Sequence, residues 1–253
     1  ETLQNFVNSW LGEPWEDTKV KTSIELVLER QTEYEENIVP DYAEFLTGGV
    51  DVQENSVYWV IRAWGAHITS QNIAHGQALS LTEIEDIMNL SYYKKDGTAL
   101  VPEIVFIDSG DQTDMVYNFC LKNNEYIYAC KSSSKTMDTY YKISVVNKEG
   151  SNANGIKLII IDSGKYKDMI VNRMRRANGK RSWMVYKGCD EEYAKQVTAE
   201  HKISVKTSNG SKQQKWVKKA SHADNHYLDA EVYAMAAADI LGVRRLGMEE
   251  NNE

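Results

Sequence analysis

Two apolar segments of this chain end in the same tripeptide, Asp-Ser-Gly. The first is V-F-I-D-S-G-D, residues 105–111, and the second is I-I-I-D-S-G-K, residues 159–165. A short apolar run followed by a carboxylate and a glycine is typical of a buried strand that ends in a sharp turn. When helices alternate with such strands the fold is α/β, and active sites form at the carboxyl ends of the strands. The pattern therefore predicts an α/β fold with acids at strand ends.

The remaining patterns agree with this class. Two runs near 48–53 and 56–65 flank the polar pair Glu54-Asn55, which predicts a β-hairpin and hence a mixed sheet. Residues 66–80 are polar and are interpreted as a connection. Helices are predicted at 81–90, 111–120, 167–176, 191–197 and 228–241, further strands near 125–131, 142–147, 156–162 and 183–186, and a basic hairpin around S-N-G-S.

Three carboxylates are candidates for chemistry. Asp51 interrupts the apolar strand G-G-V-D-V-Q, where a buried charge is costly unless it is paired or binds a cation; the alternative is a strand edge that faces water. Asp108 ends the first Asp-Ser-Gly strand, and its alternative role is to cap the next helix. Asp229 lies near the start of the Ala-rich helix. Such oxygen ligands suit Mg²⁺ or Mn²⁺. A zinc site with His222 and His226 is disfavoured because both precede the helix.

The second Asp-Ser-Gly segment has a different continuation. Asp162 is followed by a run of lysines and arginines, which would not usually support a metal site. Asp162 is therefore predicted to be a strand-end cap. Lys131 ends the strand Y-I-Y-A-C-K, where it could stabilise negative charge in a transition state or be an ordinary surface lysine. Asp239, ten residues after Asp229, is predicted to face solvent.

The net charge of −8 is unevenly distributed along the chain. Residues 1–50 hold 11 Asp/Glu and 3 Lys/Arg, a balance of about −8, whereas residues 151–220 hold 16 Lys/Arg and 6 Asp/Glu, about +10. The basic part predicts a face that binds phosphates, and the alternative is a solvated basic surface.

Several classes of protein are disfavoured by what the sequence lacks. There is no G-x-x-x-x-G-K-[ST] loop for ATP and no G-x-S-x-G. The three cysteines, Cys120, Cys130 and Cys189, form no C-x-x-C pair, which favours a reducing cytoplasm. There is neither a signal peptide nor an apolar run that could span a membrane. Because the sequence does not begin with Met, we expect it to be a piece of a longer chain.

Six motifs occur in an order that resembles the nuclease portion of the lambda-type large terminase subunit of tailed bacteriophages. They are V-P-D-Y-x-x-F-L-T-G-G-V-D-V-Q, F-I-D-S-G-D-Q-T-D-M-V-Y-N-F-C, Y-A-C-K, D-S-G-K-Y-K-D-M-I-V-N-R-M, Y-A-K-Q-V-T-A-E and N-H-Y-L-D-A-E-V-Y-A-M-A-A-A. The opening F-V-N-S-W-L-G-E-P-W also resembles the segment that joins the ATPase half of that family to its nuclease half.

The resemblance implies a ribonuclease H-like fold, in which a central mixed sheet is flanked by helices. It also implies an endonuclease that cuts concatemeric phage DNA with Mg²⁺ or Mn²⁺ in a two-ion site. Asp51, Asp108 and Asp229 match the family's metal-binding acids, with Asp51 shared between the ions. Lys131 matches its strand-end lysine, although Ser132 follows where the family often has Gly.

The same resemblance implies a domain organisation and a set of partners. Residues 1–45 would be a lead-in from an ATPase domain, 46–245 the nuclease domain and 246–253 a flexible tail. The expected partners are double-stranded DNA, the ATPase domain, the small terminase subunit and the portal, in the host bacterial cytoplasm. The alternatives are a non-catalytic module that docks to DNA or portal, and another ribonuclease H-like nuclease such as a resolvase or transposase. The residues expected to contact DNA are Lys165, Lys167, Arg173, Arg176, Lys206, Lys212 and Lys215.

Overall fold

A computed structural model describes residues 15–16, 23–110, 113–147, 149–151, 153–206, 210 and 212–248. The strands are β1 (Trp15–Glu16), β2 (Ile38–Val39), β3 (Phe45–Val52), β4 (Val57–Gly65), β5 (Thr69–Ala78), β6 (Tyr92–Lys94), β7 (Ala99–Leu100), β8 (Pro102–Asp108), β9 (Ile127–Ser132), β10 (Tyr141–Val145), β11 (Lys157–Ile161), β12 (Trp183–Val185), β13 (Glu200–Lys206) and β14 (Lys212–Lys218). The helices are α1 (Ile24–Leu28), α2 (Leu81–Met88), α3 (Thr113–Lys122), α4 (Ser163–Met174), α5 (Glu191–Val197) and α6 (His226–Ile240).

An eight-stranded mixed sheet forms the centre of the fold, in the order β10-β11-β9-β8-β3-β4-β5-β12. Strands β3, β4 and β5 form an antiparallel meander, and β8, β9 and β11 run parallel to β3. Because parallel strands end at the same edge of a sheet, Asp51 near the end of β3 and Asp108 at the end of β8 lie at one edge. The predicted α/β class, with a central mixed sheet flanked by helices, is confirmed.

Helices cover both faces of this sheet. Helix α6 packs across β3, β4 and β8, and α4 and α5 pack against α6 on the same face. Helices α2 and α3 contribute to a second apolar cluster on the opposite face. The side chains of β3 alternate between the two clusters, so that Val50 and Val52 point away from α6. Asp51 therefore points towards the α6 face.

The interpretation of residues 66–80 as a connection is wrong, since Thr69–Ala78 forms β5 inside the sheet. Most of its polar side chains are buried, and two of them have partners on distant segments. Asn72 Nδ2 donates to Glu231 at 2.8 Å, and Gln71 accepts a hydrogen bond of 3.0 Å from the Thr32 hydroxyl. A buried polar group is stable when it is hydrogen-bonded. The partners of these groups are far away in sequence, so a local pattern does not reveal the strand.

Part of the segment predicted as a lead-in joins the same cores. Val27 on α1 and Val39 on β2 have no exposed surface, and a backbone bridge links Gln31 to Val185. The division at residue 45 stays a prediction. In the part of the chain that is described, no helix is both long and apolar enough to cross a membrane.

Replacing Gly49 by alanine tests the contact between β3 and α6. A methyl group there would lie 1.9 Å from the Ala230 carbonyl oxygen, so helix and strand would have to separate. We expect the free energy of unfolding to fall by about 3 kcal/mol or more, measured by urea titration with tryptophan fluorescence. Gly97→Ala is the control: its methyl group would meet nothing within 4 Å, and only its φ of +88° opposes it, at about 1–2 kcal/mol. Equal losses in the two variants would contradict the close packing.

Candidate active site

Asp51 is held at the end of β3 by two polar neighbours. Its side chain is buried, and Oδ2 accepts a hydrogen bond of 2.7 Å from Gln53 Nε2. The same oxygen lies 2.9 Å from His226 Nδ1, at the start of α6. The His226 ring stacks on Tyr58, with 4.5 Å between ring centroids. The acid on the strand is thus tied to the first residue of the helix.

The other two candidate acids are also held by donors. Asp108 Oδ1 accepts hydrogen bonds from the Tyr233 hydroxyl at 2.9 Å and from the Gly110 backbone at 3.2 Å. Asp229, in the first turn of α6, accepts a hydrogen bond of 2.8 Å from Asn225 Nδ2 on Oδ2. Its Oδ1 lies 3.0 Å from Lys167 Nζ. Helix α6 therefore supplies Asp229 itself, and Tyr233 as a donor to Asp108.

These carboxylates are close enough to repel one another. Burial raises the pKa of Asp51 to about 6, repulsion from Asp229 and Asp108 adds to that rise, and the His226 hydrogen bond opposes it. Burial also raises the pKa of Asp108, with a further contribution from Asp229. A cation placed between these groups would favour their ionised forms.

Lys167 is the buried cation beside this cluster. Its Nζ lies 2.7 Å from Glu200 Oε1 and 3.0 Å from Asp229 Oδ1. Burial alone would lower the pKa of Lys167, but attraction to Asp229 and Glu200 raises it overall. Lys167 was predicted to contact DNA, but its side chain is 9% exposed and faces the acids, because α4 packs against α6. It is therefore unavailable to phosphates on the protein surface.

Asp162 has the structural role that the sequence predicted. It is the N-cap of α4, and its Oδ1 accepts a hydrogen bond of 3.2 Å from the Lys165 backbone. Its Oδ2 accepts another of 2.9 Å from the Met137 backbone. Strands β9 and β8 separate β11 from β3. The second Asp-Ser-Gly sequence is thus a helix cap outside the cluster.

Lys131 is exposed at the end of β9. Cys130 pairs with Asp108 across the two strands and belongs to the core cluster on the α6 face, whereas Ala129 belongs to the opposite one. By alternation Lys131 points to the face opposite Asp108. Its catalytic role stays a prediction.

The other residues predicted to contact DNA separate into three places. Lys206, Lys212 and Lys215 are exposed on the antiparallel hairpin β13–β14, which confirms the predicted hairpin. Lys165 Nζ donates to the Asp138 carbonyl at 2.9 Å and so supports a loop. Arg173 is in the last turn of α4 and Arg176 follows the helix. Arg173 lies six residues after Lys167, which is roughly 9 Å along the helix axis from the residue that contacts the acids.

The sequence analysis did not predict the contacts that the acids make with Gln53, Lys167, Asn225, His226 and Tyr233. The available signal was spacing on α6, because His226 and Tyr233 lie three residues before and four after Asp229, which places all three on one helix face. Asp239 was predicted to face solvent, and this is wrong. It is buried, and it accepts a hydrogen bond of 2.9 Å from the Tyr166 hydroxyl, because α6 is packed on all sides.

The acids are not preassembled around one point. Among the described residues, no three His, Cys, Asp or Glu side chains stand close enough together to hold a single metal ion. The three aspartates nevertheless interact electrostatically and offer only oxygen atoms, which hard divalent cations prefer. The carboxylate oxygens are therefore the right kind of ligand for such a cation. To bring the three aspartates around one ion, the side chains that now donate hydrogen bonds to them would have to move.

Fold and site together define a class: an α/β protein with a mixed sheet, in which two aspartates at the carboxyl ends of parallel strands and a third at the start of the helix packed on them repel one another. Residues 1–250 match the family described as terminase large subunit gpA, endonuclease domain, and the chain belongs to this family.

Two curated proteins and one solved structure are similar to the chain. The chain is 27% identical to the terminase large subunit of Escherichia phage lambda over 94% of its own length, and 25% identical to that of Enterobacteria phage P21 over 93%. It spans 38% of the length of each. The large terminase of a thermophilic bacteriophage superposes with a TM-score of 0.46 at 12% identity, over 88% of this chain and 45% of that one.

The raised pKa of Asp51 predicts a pH-dependent stability. In the metal-free protein the unfolded chain loses this proton near its ordinary value of 3.8, whereas the folded chain keeps it until about 6. Stability is therefore lost as pH rises through that window. We expect the stability gained in Asp51→Asn to grow by about 2 kcal/mol between about pH 4.5 and 8, measured by urea unfolding in EDTA.

The matched control is Asp86→Asn, which removes a carboxylate on the exposed side of α2. An Asp51→Asn gain that is the same at both pH values, or that Asp86→Asn reproduces, would show that Asp51 is not under electrostatic strain.

Proposed function

We propose that this chain is the endonuclease part of a phage large terminase, and that it hydrolyses phosphodiester bonds of double-stranded DNA with Mg²⁺ or Mn²⁺. In this role it would cut concatemeric phage DNA during genome packaging. The observation that carries the proposal is the cluster of Asp51, Asp108 and Asp229 at one edge of the sheet, where burial and mutual repulsion oppose ionisation of Asp51 and Asp108. Membership of the endonuclease-domain family supports it.

Asp51, Asp108 and Asp229 would hold the divalent cations. When bound, such ions lower the pKa of an attacking water and stabilise the leaving oxygen of the phosphodiester. The electrostatics favour this assignment because a cation relieves repulsion among the carboxylates.

The other residues at the site orient these acids. Gln53 and His226 hold Asp51, and Tyr233 holds Asp108. Hydrogen bonds to metal-binding side chains fix their rotamers and tune their affinity for the ion. The resemblance implies that Lys131 adds positive charge at the non-bridging phosphate oxygens, although alternation along β9 points its side chain to the face opposite Asp108.

The hairpin β13–β14 is the candidate surface for the DNA backbone. Lys206, Lys212 and Lys215 are exposed on it. Strand β13 begins at Glu200. Asn225 Nδ2 donates to Glu200 at 2.7 Å and also to Asp229, so the basic hairpin starts next to the acidic site. Contacts of lysine with phosphates position a duplex without reading its sequence.

The proposed setting follows from the relatives, which are longer proteins. In a complete terminase this domain would act with an ATPase domain, a small subunit and the portal, in the cytoplasm of the bacterial host.

A non-catalytic module that docks to DNA or portal is the second candidate. The observation that favours it is that each acid already has a hydrogen-bond donor in this structure. Metal-dependent cutting separates the two functions, because a docking module has no use for a divalent cation.

Cleavage of supercoiled plasmid with Mn²⁺, Mg²⁺ or EDTA tests the proposal. We expect the parent to cut with either metal, EDTA to stop cutting, and Asp51→Asn or Asp229→Asn to lower the rate at least about 100-fold. Asp162→Asn is the control: it alters the other Asp-Ser-Gly sequence, and asparagine keeps the cap of α4 while losing only the hydrogen bond from Met137, so it should cut like the parent. No cutting by the parent, or full cutting by Asp51→Asn, would favour the docking module.

Replacing Lys206 and Lys215 together by alanine tests the hairpin surface. Loss of two phosphate contacts should lower the slope of log affinity against log salt by about 1–2, measured for duplex DNA by fluorescence anisotropy in EDTA. The control replaces Lys122 and Lys142, which are exposed on α3 and β10. Equal slopes for the two double variants would remove the hairpin from the DNA interface.

A further inference from the structure

Lys167 is a buried cation to which the proposed reaction assigns no role. It lies in the second turn of α4, on the face turned towards α6, and both groups that its ammonium contacts are carboxylates. We propose that Lys167 is a positioning residue, which fixes Asp229 for metal binding and supplies positive charge to the acidic site before a metal arrives. This inference rests on the proposed function, because it assigns Asp229 to a metal.

The contacts around Asp229 restrict its carboxylate on both sides. Lys167 Nζ lies 3.0 Å from Oδ1, and Asn225 Nδ2 donates to Oδ2 at 2.8 Å. With one donor on each oxygen, the carboxylate plane is fixed while further lone pairs remain free. This is the arrangement expected for an acid that must meet a metal ion in one orientation.

Glu200 fixes the two donors. Its Oε1 lies 2.7 Å from Lys167 Nζ and accepts a hydrogen bond of 2.7 Å from Asn225 Nδ2. Glu200 is itself buried at the start of β13. A single carboxylate oxygen thus holds both groups that contact Asp229, which explains why a fourth acid lies in a region already rich in negative charge.

Charge supports the same assignment. Asp51, Asp108, Asp229 and Glu200 are four carboxylates, and the ammonium of Lys167 offsets one of them. Removing one member of a buried ion pair leaves the other uncompensated, which is strongly destabilising. Without metal, loss of Lys167 would therefore leave Asp229 and Glu200 repelling each other, and the orientation of the Asp229 carboxylate would no longer be fixed.

The next residue of α4 connects to the hairpin. Asp168 accepts hydrogen bonds from Lys202 Nζ at 2.8 and 2.7 Å and from Trp216 Nε1 at 3.0 Å. Lys202 lies on β13 and Trp216 on β14. Lys167 thus holds Asp229, and Asp168 holds the basic hairpin, at the same turn of α4. The ion pair of Lys202 with Asp168 lies outside the acidic cluster and so provides a control for the ion pair of Lys167 with Asp229.

The test compares Lys167→Met with Lys202→Met, each of which removes one ammonium from an ion pair with an acid. Binding of Mn²⁺ in the absence of DNA is followed by the electron paramagnetic resonance signal of the free ion, and thermal unfolding is measured in EDTA and in saturating Mn²⁺. We expect Lys167→Met to weaken Mn²⁺ binding about 10- to 100-fold, whereas Lys202→Met leaves it unchanged. Both variants should unfold at lower temperature in EDTA. Because a ligand stabilises the folded state by an amount that grows with its affinity, Mn²⁺ should raise the unfolding temperature less in Lys167→Met than in Lys202→Met.

Lys167→Arg keeps the charge but places it in a larger, planar group, so it should fold and still bind Mn²⁺ more weakly than the parent. If Lys167→Met does not fold, Lys167→Arg alone tests whether Lys167 positions Asp229 for metal binding. Parent-like Mn²⁺ affinity in Lys167→Arg and in any folded Lys167→Met would overturn the positioning role. Failure of the proposed function looks different: the parent would then bind Mn²⁺ no better than Asp51→Asn does.

Discussion

The close approach of α6 to β3 is the constraint on which the site depends. Gly49 has no side chain, and this lets the backbone of Ala230 come so near that a methyl group would lie 1.9 Å from its carbonyl oxygen. Polar contacts hold the helix at this distance, since Thr47 Oγ1 donates to the Ala234 carbonyl at 2.8 Å and Asn72 Nδ2 donates to Glu231 at 2.8 Å. Asp229 lies one residue before Ala230, so the same packing sets its position relative to Asp51.

Electrostatic strain is concentrated at that end of the sheet. Elsewhere buried charges stand in ion pairs, such as Arg62 with Glu231 and Arg244 with Asp239, whereas the edge near β3 and β8 collects aspartates whose burial and repulsion raise the pKa of Asp51 and Asp108. Strongly shifted pKa values of this kind cluster at functional sites, where charged groups bind ligands or take part in catalysis. The structure distributes neutral and cationic donors among the acids, so that the metal-free chain can fold with them in place.

Local sequence patterns were enough to identify the framework and the acids. The hairpin of β3 and β4, the strands that end in Asp108 and Asp162, and the Ala-rich helix follow from alternation, from turn residues and from helical spacing. Asp51 drew attention because it is a charge in an apolar strand, and Asp229 because it lies near the start of the Ala-rich helix. The assignment of both to a metal came from the resemblance and stays a prediction. The difference between the two Asp-Ser-Gly segments was also local, because cations follow one of them and not the other.

What the sequence did not reveal depends on packing between distant segments. Strand β5 looks polar because its side chains bond to Glu231, Arg62 and Thr32, which are far away along the chain or on another element. Lys167 looked like a surface cation because nothing near it in sequence shows that α4 turns this residue towards α6. The same helix–helix contact buried Asp239, which the spacing alone placed in solvent.

The packing of α6 has a consequence for how sequences of this kind can diverge. Ala230, Ala234, Ala236, Ala237 and Ala238 are all fully buried, and none of them carries a functional group. Because α6 is packed on all sides, a larger side chain at any of them would displace the helix from its neighbours and carry Asp229 with it. We therefore expect the small residues of α6 to vary among related chains almost as little as the acids, because selection on the position of one carboxylate extends to the methyl groups behind it.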